Sequence, residues 1–189
     1  MPDRDWWEVL WPAPKVTVQG LGVTSGMTVL DLCCGDGYFT APLAKIVSGK
    51  AYALDLDPLM IEQAKIEVGQ QGTSILNWIC ADARNAARLI AEPLDYVLMA
   101  NTFHGVPDQS GLVEAVRTML KPRGLFGIIN WHPVPREQTI VLERPRGPKT
   151  EMRMSAEQVK TIVEPGGFRL VKIVELPPYH YGAVFERLV

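Results

Sequence analysis

Short apolar runs alternate with amphipathic stretches along this chain. Residues 27–32 are an apolar run behind Ser25-Gly26, the pattern of a buried strand. Over 38–47, Phe39, Leu43 and Ile46 fall on one helical face, and Ser48-Gly49 follows as a stop. Residues 51–54 repeat the strand pattern. Asp57-Pro58 then offers an N-cap carboxylate and a proline at the first helical position, which predicts a helix to about Gln70. The same reading predicts strands at 75–79, 96–100 and 125–131 and a short helical stretch at 84–90. It also predicts a helix over 110–120 that stops at Lys121-Pro122-Arg123-Gly124.

Strands alternating with helices of this length specify crossover units, and therefore an α/β fold with a mostly parallel sheet covered on both faces. The pattern changes near the end. Ser155-Ala156-Glu157-Gln158 is a capping box opening a helix that ends at Pro165-Gly166-Gly167. Strands at 169–175 and 181–187 follow, with only Leu176-Pro177-Pro178-Tyr179-His180 between them. That connection is too short for a parallel crossover, so the last strand must run antiparallel. The architecture expected is a three-layer sandwich of roughly seven strands with a reversed final strand. An N-terminal arm or cap (1–24) precedes the domain (25–189), into which a proline- and arginine-rich flap (133–149) is inserted.

Composition narrows the class. A chain of 189 residues, 47% hydrophobic and 21% charged, is long enough for one well-packed domain. No apolar run approaches the ~18 residues of a membrane span. The first residues carry neither a basic nor an apolar leader region, so no secretory signal is expected. Three cysteines without zinc-like spacing speak against a disulfide framework or a metal site and for a reduced, cytoplasmic setting. With a net charge of −2, no broad nucleic-acid footprint is expected.

Candidate chemistry begins where the first strand runs into its helix, Val29-Leu30-Asp31-Leu32-Cys33-Cys34-Gly35-Asp36-Gly37-Tyr38-Phe39-Thr40. A glycine-rich turn there lets a ligand approach the backbone. A dinucleotide-binding G-x-G-x-x-G loop does not fit: starting at Gly35 it requires glycine where Thr40 stands, and starting earlier it requires glycine at Cys33 and Tyr38. Asp31 through Gly37 instead resembles the acidic-x-G-x-G-x-G first motif of class I S-adenosylmethionine-dependent methyltransferases, with Cys33 at the first glycine position.

The resemblance implies a Rossmann-like fold and S-adenosylmethionine as cofactor, with S-adenosylhomocysteine as product. Asp31, Cys33, Gly35 and Gly37 would form the cofactor turn. Asp55, closing the second strand, would accept from the ribose hydroxyls, and Leu56 would pack on adenine. Asp82 would accept from the adenine amino group, with the Ala83 amide on a ring nitrogen. Asn101 stands at the fourth motif, where the methionine part and the acceptor meet. The Leu-Asp-Leu-Cys-Cys-Gly run is closest in texture to ubiquinone/menaquinone-type and other small-molecule methyltransferases. The Asn/Asp-Pro-Pro-Tyr/Phe signature of base- and glutamine-amide-modifying enzymes is missing at the fourth motif.

The expected reaction is therefore methyl transfer to an oxygen, sulfur or carbon nucleophile of a small-molecule acceptor. An RNA- or protein-directed methyltransferase and a non-catalytic S-adenosylmethionine-binding protein are the alternatives. His104, His132 and His180 all fall on the carboxyl edge of the expected sheet, where ligands bind in open α/β folds. His104 is the first candidate for a general base and His132 the second, with Tyr179 or Tyr181 as orienting hydroxyls. Trp6, Trp7 and Trp11 read as a packed arm or a lid. Arg136, Arg144, Arg146 and Lys149 read as a solvated loop or an anion-binding set.

Overall fold

The computed structural model describes residues 4–189; Met1, Pro2 and Asp3, the start of the expected arm and leader-free N-terminus, lie outside the described residues. In chain order the elements are α1 (Arg4–Leu10), α2 (Pro14–Gly20), β1 (Val29–Leu32), α3 (Thr40–Ile46), β2 (Ala51–Asp55), α4 (Pro58–Gln70), β3 (Asn77–Cys80), α5 (Ala86–Leu89), β4 (Leu94–Ala100) and α6 (Gln109–Met119). They continue as β5 (Leu120–Trp131), β6 (Ile140–Val141), β7 (Arg144–Pro145), α7 (Ala156–Val163), β8 (Phe168–Leu176) and β9 (His180–Arg187).

Seven strands form one sheet in the order β3-β2-β1-β4-β5-β9-β8. Pairing is parallel from β3 through β5, whereas β9 runs antiparallel to both β5 and β8. The short turn between β8 and β9 therefore reverses the last strand, as its length requires. Strand period divides the core. On β4, Val97 and Met99 face a layer with Leu112, Val116 and Val159, while Tyr96 and Leu98 face one with Val18, Leu21 and Leu43. Each such buried side chain contributes roughly 2–3 kcal/mol.

Several boundaries differ from the sequence pattern. The first crossover helix starts at Thr40 rather than Tyr38, because the Asp36 carboxylate accepts from the Tyr38 amide and holds that residue in the preceding turn. The third strand is Asn77–Cys80, not 75–79, since Ile75 is used to pack against α4. Lys121-Pro122-Arg123-Gly124 interrupts the pairing without ending the strand. β5 pairs at Leu94–Leu120 and re-registers at Tyr96–Leu125, with Arg123 in the left-handed region (φ 67°). The flap carries its own two-stranded ribbon, β6–β7, turned through Leu142-Glu143 at φ 50° and 61°.

The segment before β1 is tied into a hollow on the sheet. A Cβ on Gly127 would fall 2.0 Å from the Tyr96 hydroxyl, and one on Gly182 would fall 2.2 Å from a Leu21 methyl. The missing side chains admit Tyr96 and Leu21, and the Tyr96 hydroxyl donates to the Leu21 carbonyl at 3.1 Å. Gly127→Ala is expected to lower stability by about 1–3 kcal/mol through overpacking. In a Tyr96→Phe background the same substitution should cost less, because the nearest colliding atom is gone and only ring carbons at 2.8 and 3.0 Å remain to shift. Thermal melts of the two singles and the double measure this, and simple additivity would refute it.

Candidate functional site

β1 and β4 are adjacent, but α3 leaves β1 toward one face of the sheet and α6 follows β4 on the other. The loops beyond their carboxyl ends diverge and open a crevice, the usual ligand position in such sheets. A cavity of about 640 Å³ lies there. Its floor is the β1–α3 turn and the segment after β4: Asp31, Cys33, Cys34, Gly35, Asp36, Asn101, Thr102 and His104. Its walls and roof are Trp6 and Trp7 from α1, Trp131 from β5, and Arg136, Arg144 and Arg146 from the flap.

The turn is built for close approach. Gly37 stands at φ 84°, and a Cβ there would lie 2.8 Å from the Ala64 backbone of α4. Cys33, at the first glycine position of the motif, holds φ 64° and so keeps the left-handed backbone glycine would adopt freely, at a strain of roughly 1–2 kcal/mol. Asp55 braces the turn: its carboxylate accepts from the Gly35 amide at 2.9 Å and from the Asp57 amide at 3.0 Å. Leu56 beside it is 69% exposed, an apolar shelf outside the cavity. Asp82 is held at the same edge by Arg84, whose guanidinium and amide keep its carboxyl down to about 2. Ala83 starts the short 3-10 turn behind it. Asn101 has a left-handed backbone (φ 57°), and its buried Oδ1 has no hydrogen-bond partner.

Asp31 is buried and accepts from the Thr40 hydroxyl at 2.6 Å. Burial is the main cause that pushes its carboxyl up to about 7, opposed by Thr40 and reinforced by Asp55 and Asp36.

The three histidines separate. His104 lines the cavity, with Nδ1 3.2 Å from Asn130 Oδ1, and burial holds its imidazole below the usual range. His132 points out of the cavity lining and pairs with Glu175 at 3.0 Å. His180 is fully buried, its ring 4.0 Å from that of Trp131 and 4.4 Å from that of Trp11, and desolvation keeps it neutral. Tyr179 is likewise outside the lining: its ring stacks beside Trp131 and its hydroxyl donates to the Ile140 carbonyl. Tyr181 donates to the Met154 carbonyl at 2.8 Å. The grouping of histidines at one sheet edge thus brings only His104 to the cavity, because alternation along β9 turns His180 inward and His132 lies beyond the end of β5.

Residues not singled out in the sequence hold the roof. Trp131 is buried and packs against Trp6, Tyr179, His180 and the Arg153 guanidinium, which stands 5.0 Å over its ring. Gly147 adjoins it, and a Cβ there would meet the Trp131 ring at 2.8 Å. Arg153 is 5% exposed and donates to the carbonyls of Val134, Arg146 and Pro148 and to the Thr139 hydroxyl. One guanidinium therefore gathers four positions of the flap. Its sequence signal is faint; an arginine between two methionines, Met152 and Met154, was the only hint.

A methyltransferase-domain family model matches residues 29–124, just over half of the chain. The chain belongs to this family. It is a class I S-adenosylmethionine-dependent methyltransferase domain by motif and fold. A S-adenosylmethionine-dependent methyltransferase from Aquifex aeolicus superposes with a TM-score of 0.80 at 27% identity, over 96% of this chain and 93% of its own. Demethylmenaquinone methyltransferase of Lactococcus lactis is 30% identical over 61% of this chain and 45% of its own length. An uncharacterised protein of Mycobacterium tuberculosis is 27% identical over 66% and 44%. The chain thus spans about half the length of the curated relatives it matches.

The observed residues fit the cofactor of this family: a turn with glycine at 35 and 37, an apolar shelf at Leu56 and an unpartnered Asn101 oxygen offer the surfaces that a nucleoside joined to an amino acid would require. The raised Asp31 carboxyl has a stability consequence. Between about pH 4 and pH 7 the folded protein keeps a proton that the unfolded chain releases, so this group's contribution to stability is present at low pH and is lost as pH rises. Asp31→Asn retains an acceptor for Thr40 and removes the titration. Its unfolding free energy should exceed that of the parent above pH 7, by on the order of 4 kcal/mol, and the gap, followed by thermal melts, should shrink toward pH 5. A gap independent of pH would contradict the assignment.

Proposed function

We propose that the chain transfers the methyl group of S-adenosylmethionine to an oxygen, sulfur or carbon nucleophile of a small molecule held in the roofed cavity. The observation that carries this reading is the cavity itself. At about 640 Å³ it has room for the amino-acid end of the cofactor beside a small acceptor, and tryptophans and the flap wall it beyond the sheet edge. The curated demethylmenaquinone methyltransferases act as a further pointer to a small acceptor. Among the described residues no helix is long and apolar enough to cross a membrane. The free cysteines fit a reducing, cytoplasmic setting.

In this reading the β1–α3 turn, Asp55, Leu56, Asp82 and the Ala83 amide hold the nucleoside, and Asp31 and Asn101 meet the amino-acid end. The cofactor supplies an electrophilic methyl on a sulfonium, whose positive charge is lost on transfer. What remains for the protein is alignment, exclusion of water and removal of one proton. His104 is the proposed base. Donating from Nδ1–H to Asn130 Oδ1 leaves Nε2 with a free lone pair, and burial keeps the ring neutral at pH 7. Asn130 is then a positioning residue that fixes the tautomer. Trp6, Trp7 and Trp131 exclude water.

Two experiments test this. Isotope-labelled methyl donor incubated with separated small-molecule, RNA and protein fractions of a cell extract should label only the small-molecule fraction. Label in RNA or protein would overturn the acceptor class, and label in none would favour a binding protein. With an acceptor in hand, His104→Ala should lower turnover by about 10²–10⁴-fold while S-adenosylhomocysteine affinity is kept. The parent's rate should fall at acid pH with a midpoint below the ordinary 6.5 of histidine, and this limb should vanish in the variant. Unchanged turnover in His104→Ala would remove the base.

A further inference from the structure

The cavity is electrically divided. Asp31 and Asp36 stand on its floor, beside the turn proposed to hold a cationic cofactor, whereas Arg136, Arg144 and Arg146 face it from the flap. The Arg146 guanidinium lies 5.9 Å over the Trp6 ring, and its buried Nε has no hydrogen-bond partner. No carboxylate pairs with Arg144 or Arg146 among the described residues. Arg136 spends its Nε on the Gly147 carbonyl at 3.1 Å, which shapes the flap and keeps its charge at the cavity rim. A buried donor left unsatisfied is costly unless a ligand completes it, and a guanidinium is best completed by a planar oxyanion. Aromatic edges border the same space: Trp7, which lines it, is stacked on Trp6 at 4.2 Å and on Trp11 at 4.9 Å, and Trp6 and Trp131 line it beside Trp7.

Building on the small-molecule reading, we propose that the acceptor is a planar aromatic carboxylate. Its ring packs on the edges of the tryptophans that line the cavity and its carboxylate meets Arg146, with Arg144 adding charge. The nucleophilic substituent then points to the floor, where His104 stands.

The test uses the full chain saturated with S-adenosylhomocysteine and three matched pairs in calorimetric titration: hydroxybenzoate against phenol, hydroxynaphthoate against naphthol, and indole carboxylate against indole. At least one acid should bind about tenfold or more tighter than its uncharged partner, in line with a charge-assisted contact. Arg146→Gln and Arg144→Gln should each shrink that preference while S-adenosylhomocysteine affinity stays within about twofold. Arg144 is exposed, so its variant reports charge without a packing change. No preference for the acid in any pair overturns the proposal. So does an Arg146→Gln variant that keeps the preference and loses S-adenosylhomocysteine, which would assign the guanidinium to the cofactor's own carboxylate. If the parent binds no S-adenosylhomocysteine, the methyltransferase reading fails, and the pairs titrated on ligand-free protein still decide between an acid-selecting cavity and none.

Discussion

β1 and β4 lie side by side, hydrogen-bonded in parallel, yet the chain leaves them toward opposite faces of the sheet. That divergence is what the rest of the molecule depends on. The connections through α3 and α4 keep to one face of the sheet, whereas α6 follows β4 on the other, so at this junction two loops part and expose backbone at the carboxyl edge. The glycine turn after β1, Asn101 and His104 after β4, and the end of β5 are side-chain or backbone groups that face one gap because of it. The Gly37–Ala64 approach and the Asp55 brace are consequences: the turn must be narrow enough to leave room and stiff enough to keep its shape.

The roof has a separate logic. Nothing in an open α/β sheet covers its own carboxyl edge, so the cover is assembled from three remote segments that converge on one residue. Trp131 continues β5 past the cavity, and α1, the flap and the β8–β9 turn all pack on its ring. Arg153 converts the flap from a loop into a fixed surface by satisfying carbonyls that would otherwise need water. Burying a guanidinium is expensive, and four hydrogen bonds with an aromatic face offset that cost. The arrangement trades stability for a defined chamber.

Local pattern made much of this legible. Strand and helix periods, the Asp57-Pro58 start and the Ser155–Gln158 capping box are all decided within a few residues, and the structure realises them. The reversed last strand followed from loop length alone. The β5 bulge was not legible, because a Lys-Pro-Arg-Gly stretch breaks a strand in isolation but is tolerated when its neighbours pair on both sides. On the floor of the site the motif located Asp31, Cys33, Gly35 and Asn101. The roof was legible in part, in the Trp6-Trp7 arm and the flap arginines that line the cavity, but Arg153, Asn130 and Gly147 stayed hidden because they act through partners distant in sequence, and no spacing rule connects them. His132 and His180 show the same limit: sheet edge is readable from a strand's end, whereas side-chain direction depends on register.

Where the cofactor sits is decided by a crystal structure of the full chain with S-adenosylhomocysteine. The ribose hydroxyls are expected on Asp55, the adenine over Leu56 beside Asp82, and the amino-acid end passing Gly35 toward Asn101. The sulfur would then face the chamber lined by His104 and Trp131. S-adenosylhomocysteine seated under the flap with its carboxylate on Arg146, or away from the β1–β4 gap altogether, would contradict this placement.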